Sequence, residues 1–271
     1  MLTGHGAANV GLEPDGLWEI AKPLTPPSRV QPQGGGAQDM PDETVSAAMV
    51  YVLVSGCSWR ALPPCFGILK STAHRWFLIW SRAGVWGGLH EAVLHRLDDA
   101  GLTDVTHLSW TPPMCGRKGG RTHRSVARGA GQAGFQGAHL SDQNGLPLIG
   151  VSATNTHDSE ALRLMVLGSQ TRHAPHRGRH FKPQRLDTDK SYDIPELRKW
   201  LRGKRIGVRI ARKGIESSER LGRRSRVIER TMSRLTGYRR LNHRYQRHSR
   251  NYLALLGPAA AICIGHGLRV M

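Results

Sequence analysis

Read in order along the chain, the elements predict an α/β fold, with a small all-helical, helix-turn-helix-like module ahead of alternating strands and helices. Three observations carry this. Apolar residues recur at helical spacing through residues 42–97, and short strand-like runs alternate with helical patterns after residue 139. The charge is also divided: residues 1–100 carry 7 Lys+Arg against 9 Asp+Glu, and residues 101–271 carry 32 against 11. The resulting net charge of +19 points to a polyanionic partner, most often nucleic acid. With 39% apolar residues in 271, a packed core needs no disulfide framework, and Cys57, Cys65, Cys115 and Cys263 lack the paired spacing of a zinc knuckle. Cys57 and Cys65 read as buried structural thiols. No apolar run reaches the roughly 18–20 residues of a membrane span. Met1–Val10 has no basic, apolar, cleavable pattern, so secretion is not expected and a reducing, cytoplasmic setting is.

Residues 1–40 are rich in Gly, Pro and Gln and form a loop-rich segment. Residues 41–100 form the helical module. Its first helix covers 42–55, and Ser58–Pro64 breaks it. Ser71 is the expected N-cap of a second helix whose Trp76 and Trp80 stripe reads as core. A third helix runs from Val85 to Leu97. Lys70 and Arg75, on the second helix, are placed to touch phosphates. Beyond residue 101, Gln143-Asn144-Gly145 signals a hairpin turn before a strand at Leu146–Val151. A helix from Asp158, a strand at Arg185–Thr188, a helix at Ile194–Leu201 and a strand at Ile206–Ile210 follow. Arg224–Arg234 reads as a basic helix, and Tyr252–Ile264 as a core helix too short to span a membrane.

Several stretches resemble one family. They are Gly56–Leu62 with Ser71–Trp86, Leu140–Ser159 with its Asn155-Thr156-His157-Asp158-Ser159, Leu186–Asp193, and above all Gly207–Tyr252. The last holds Ile228-Glu229-Arg230 followed by Gly237-Tyr238-Arg239-Arg240-Leu241. The chain resembles insertion-sequence transposases of the DDE type, related to the IS-four and IS-five elements. The resemblance implies a ribonuclease-H-like core over residues 101–271. It implies two divalent ions, Mg²⁺ or Mn²⁺, held by three carboxylates, which activate water and then a DNA 3′-hydroxyl for attack on phosphodiesters. Asp189 matches the second carboxylate and Glu229 the third. Alone, Asp189 in Thr-Asp-Lys would read as a helix cap or surface residue, and Glu229 as an ion-pair partner. The family's Arg four residues before the Glu is Ser225 here, flanked by Arg224 and Arg226. With Lys190, Arg223, Arg230, Arg239 and Arg240, those arginines are the expected DNA contacts. The implied partners are double-stranded terminal inverted repeats and target DNA, bound by a homodimer associated with the nucleoid.

The first carboxylate is missing. It should lie in a central strand shortly after Asp104, yet no acid occurs between Asp104 and Asp142. Residues 109–138 hold seven glycines and the pair Pro112-Pro113, a composition hostile to a central strand. The genetic code suggests a reason. Trp110 is TGG and Thr111 is ACN, so a frame offset by two bases reads GAC, an Asp. With permitted third bases, residues 109–136 re-read from Leu-Asp-Thr-Ala-His-Val-Arg-Ala onward in the manner of the family's first-Asp strand. Two compensating frameshifts bracketing roughly residues 109–138 are therefore expected, with that segment out of frame and poorly structured. A transposase by descent, catalytically impaired in this copy, is the reading that follows. A third carboxylate would otherwise have to come from Asp104 or Asp142. The alternatives are a non-catalytic DNA-binding remnant, a general RNA-binding protein, and a metal site in His173, His176 and His180 that Pro175 and Gly178 disfavour.

Overall fold

Residues 16–27, 40–114, 135–153, 158–172, 183–188, 190–210, 222–242, 245–246 and 248–268 are described by a computed structural model of the chain. The amino-terminal part is helical. Helix α1 (Leu17–Ala21) lies inside the segment expected to be loop, where Leu17 and Ala21 are buried and Trp18 stacks on Trp80 with ring centroids 6.4 Å apart. Helix α2 (Asp42–Ser55) opens with Asp42 and Glu43, which suit the positive end of the helix dipole, and stops at Gly56. Two 3₁₀ turns, Trp59–Ala61 and Pro64–Phe66, lead to α3 (Lys70–Ala83). This helix starts one residue before Ser71, after Leu69 and without a side-chain cap. Gly84 alone separates it from α4 (Val85–Asp99). Trp80 and Trp86 are buried at this joint, as the core reading of the stripe expects. Cys65 departs from expectation: it sits exposed in the second 3₁₀ turn, where the short turn leaves no interior face.

Five strands follow: β1 (His107–Met114), β2 (Phe135–Ser141), β3 (Pro147–Ala153), β4 (Arg185–Thr188) and β5 (Gly207–Ile210). They form one mixed sheet in the order β3-β2-β1-β4-β5, with β1–β2 and β2–β3 antiparallel and β1–β4 and β4–β5 parallel. The central strand that the composition seemed to forbid is therefore present, and it is β1. Its pairing with β4 uses only His107, Leu108 and Ser109, ahead of both prolines. Its register with β2 shifts between Thr111 and Met114, so Pro112 and Pro113 fall where the ladder is already interrupted. Residues 135–138, the end of the segment expected to be out of frame and poorly structured, open β2, and residues 115–134 lie outside the described residues.

Helix α5 (Asp158–Arg172) packs against β1, β2 and β3, and α6 (Pro195–Gly203) packs against β5. Helix α7 (Gly222–Gly237) packs on β1, and α8 (Arg239–Asn242) on α2. The last helix, α9 (Ser249–Leu268), joins the two halves by packing on α3 and α4 as well as on β2 and β3. Gly257 is what allows the approach, because a Cβ there would sit 2.4 Å from the Trp86 carbonyl oxygen. The apolar core consequently runs unbroken from Leu17 to Ile264 through both the helical part and the sheet. No helix among the described residues is long and apolar enough to cross a membrane.

Candidate active site and nucleic-acid interface

The carboxyl ends of adjacent parallel strands are where an open α/β sheet presents functional side chains. Here those strands are β1 and β4, aligned Leu108 with Leu186 and Ser109 with Asp187. Asp189 follows β4 directly, although it lies outside the described residues. Lys190 opens a short 3₁₀ turn ending at Tyr192, whose ring stands edge-on to Trp110 of β1 at 6.3 Å. Trp110 is buried, and its indole Nε1–H finds no acceptor among the described residues. At the β1 position where the reading-frame comparison puts a carboxylate, the fold holds an apolar ring and a hydrogen-bond donor.

Helix α7 supplies Glu229. Thr231, Met232 and Leu235 form its buried face, and Thr231 Oγ1 donates to the Gly145 carbonyl oxygen at 2.7 Å, fixing the helix to the β2–β3 turn. Glu229, Arg230 and Arg234 are exposed on the other side. Arg223, Arg224 and Arg226 belong to the same helix, but their side chains lie outside the described residues, as do Asn155, Thr156, His157 and the trio His173, His176 and His180.

Asp104 and Asp142 are brought together near the amino-terminal end of β1. Asp142 follows β2, beside the amino-terminal end of β1. Its Oδ2 accepts from the Asp104 N–H at 3.0 Å and its Oδ1 from the Leu146 N–H at 2.7 Å. Burial pushes its carboxyl up to about 6, against the lowering effect of these backbone N–H groups. This pair shapes the turn between β2 and β3 and the entry to β1.

A buried polar row runs across the middle of the sheet. Ser141 of β2 pairs with Ser109 of β1, and Ser109 with Asp187 of β4; all three are buried. Residues in register share a face of the sheet. Asp187, two residues before Asp189, has one signal in the sequence, an acid between the apolar Leu186 and the strand end.

The basic residues divide. Lys70, Arg75, Arg230 and Arg239 are exposed. Arg240, expected at a DNA surface, is 6% exposed. Its Nη1 donates to the Cys57 carbonyl oxygen at 2.9 Å, and its guanidinium lies 4.5 Å from the Tyr245 ring centroid. Its charge is spent inside the protein, holding α8 to the end of α2, and not presented to a phosphate.

Two family models match successive parts of the chain. Residues 14–90 match a family model described as "Putative transposase of IS4/5 family (DUF4096)", and residues 96–264, more than half of the chain, match "Transposase DDE domain". Over 94 residues the chain is 33% identical to the "Insertion element IS402 uncharacterized 16.2 kDa protein" of Burkholderia cepacia. That stretch covers 34% of this chain and 64% of the relative, so the chain spans less than two thirds of the protein it matches.

Proposed function

The chain belongs to the DDE transposases related to the IS4 and IS5 elements, and from that premise we propose that it is a DNA transposition protein whose catalytic step is disabled in this copy. The observation that carries the proposal is Trp110, buried on β1 next to the turn that follows Asp189. A ribonuclease-H-like core is supported by the mixed sheet, in which antiparallel β1–β3 adjoin parallel β4 and β5. In that reading Asp189 and Glu229 are the second and third acidic ligands. Divalent-ion phosphoryl transfer needs several hard, anionic oxygen ligands that converge. At β1 this chain offers the serine hydroxyl of Ser109 and the indole of Trp110. The residues present do not fit a pair of Mg²⁺ or Mn²⁺ ions, and cleavage is accordingly lost.

What remains is binding of double-stranded DNA, in the cytoplasm and as a homodimer on paired element ends. A gel-shift comparison of the element's terminal inverted repeats with a scrambled duplex tests it. Preferential binding of the repeats, with no nicking in Mg²⁺, is expected. Equal affinity for both duplexes would reduce the protein to a nonspecific DNA binder, and efficient nicking would refute the loss of catalysis. The coding DNA supplies an independent check, because codons 109–136 must permit the offset reading that contains Asp at position 110.

A further inference from the structure

The two longest stretches without an acidic residue are 44–90, which carries Arg60, Lys70, Arg75 and Arg82, and 230–271, which carries eight arginines. They are distant in sequence, yet the fold packs them together, with α8 on α2 and α9 on α3 and α4. The contact is close. Gly56 ends α2 with φ 71°, and a Cβ there would meet the Arg239 Cβ at 2.5 Å. One residue on, Arg240 is tied to the Cys57 carbonyl. Burial and then the Arg240 charge lower the pKa of His74 on α3, so the same corner includes that helix. The Trp59 ring lies 5.4 Å from the His74 ring, next to Arg60. Lys70 stands one turn before His74, and Arg75 adjoins it. Arg60, Lys70, Arg75 and Arg239 are thus exposed cations around one corner, drawn from both halves of the chain.

Packing two all-basic segments together gathers like charges that neither segment can neutralise, and a polyanion offsets that repulsion. The basic cluster on α6 is different. There Lys199 and Arg202 share their helix with Glu196, Lys204 caps its carboxyl end, and Arg198 pairs with Asp193 at 2.7 Å. We propose that the α2–α3–α8 corner is a single phosphate-binding face for duplex DNA, built jointly by the two halves, with Arg240 as its internal strut. This rests on the reading that the chain binds DNA, and it assigns that binding to one place.

The test measures affinity of the full chain for a short labelled duplex as salt is raised. Three proteins are compared: the parent, Lys70→Ala/Arg75→Ala/Arg239→Ala, and Lys199→Ala/Arg202→Ala/Lys204→Ala, which removes the same charge from α6. The corner triple should flatten the slope of log K against log salt by about 2–3, because each lost phosphate contact removes about 0.9. The α6 triple should keep the parent slope. Equal flattening by both triples, or none at the corner while the parent binds, overturns the assignment. A parent that binds no duplex at all overturns the DNA-binding reading itself. Arg75→Gln/Arg239→Gln, which keeps much of the side-chain stems, repeats the comparison should the alanine triple unfold, and should flatten the slope by about 2.

Discussion

Asp142 and Arg240 are both charged groups taken out of water, and each is used to hold the chain to itself. The Asp142 carboxyl is pushed up to about 6 by burial. A carboxyl whose folded pKa lies above its ordinary value binds more protons in the fold than in the unfolded chain between about pH 4 and 6. Stability therefore falls as pH rises through that window, by on the order of 2–3 kcal/mol from this group. Asp142→Asn should remove the slope, which urea midpoints at pH 4 and pH 6 would reveal; an unchanged slope would mean that other groups set it. Arg240→Ala should lower stability by about 1–3 kcal/mol, measured by chemical unfolding, because the half-buried Cys57 carbonyl loses its donor and the packing over Tyr245 is lost. The sequence could not distinguish Arg240 from Arg239. Both sit in one basic run, and only the tertiary contact with Cys57 turns one inward.

At the scale of elements, periodicity was a sound guide wherever one face meets the core. The helices at 42–55 and 85–97 and the strand at 185–188 emerge with small changes of boundary. Ser71 failed as a cap because the preceding Leu69 already has extended backbone and the helix starts at Lys70. Helix α1 was hidden by the glycines and prolines around it; its reason for forming is Leu17, Ala21 and the Trp18–Trp80 stack, a tertiary cause. The prolines of β1 misled in the opposite direction, because they fall beyond the β4 pairing and at a register shift. The joint between α4 and α9 offers a prediction. Gly257→Ala would push a methyl into the Trp86 carbonyl and should cost about 1–3 kcal/mol, seen as a lower Tm without loss of helix content at low temperature. An unaffected Tm would mean that α9 does not seat this closely. Thr231→Val should cost about 1 kcal/mol by removing the bond to Gly145 that fixes the Glu229 helix to the sheet.

For the whole molecule, the sequence pointed to an α/β transposase with a carboxylate missing near residue 110, and the family match shows the transposase part of that. It could not convey that the helical part and the sheet share one core, since that depends on α9 and its glycine. Nor could it convey that Asp104 and Asp142 meet near the amino-terminal end of β1, a consequence of strand direction. The candidate site was legible through Asp189 and Glu229 only by resemblance, whereas the burial of Trp110 against Tyr192 needed the fold, in which β1 runs beside β4. The central claim is that a folded transposase scaffold has lost its chemistry at one strand. The most direct measurement is Mg²⁺-dependent cleavage of DNA carrying the element's own ends, with this chain and a version whose frame is restored across residues 109–138 assayed side by side. Cleavage by the restored protein alone, abolished again by Asp189→Ala or Glu229→Ala, is the predicted result. Cleavage by both proteins at similar rates would contradict the account.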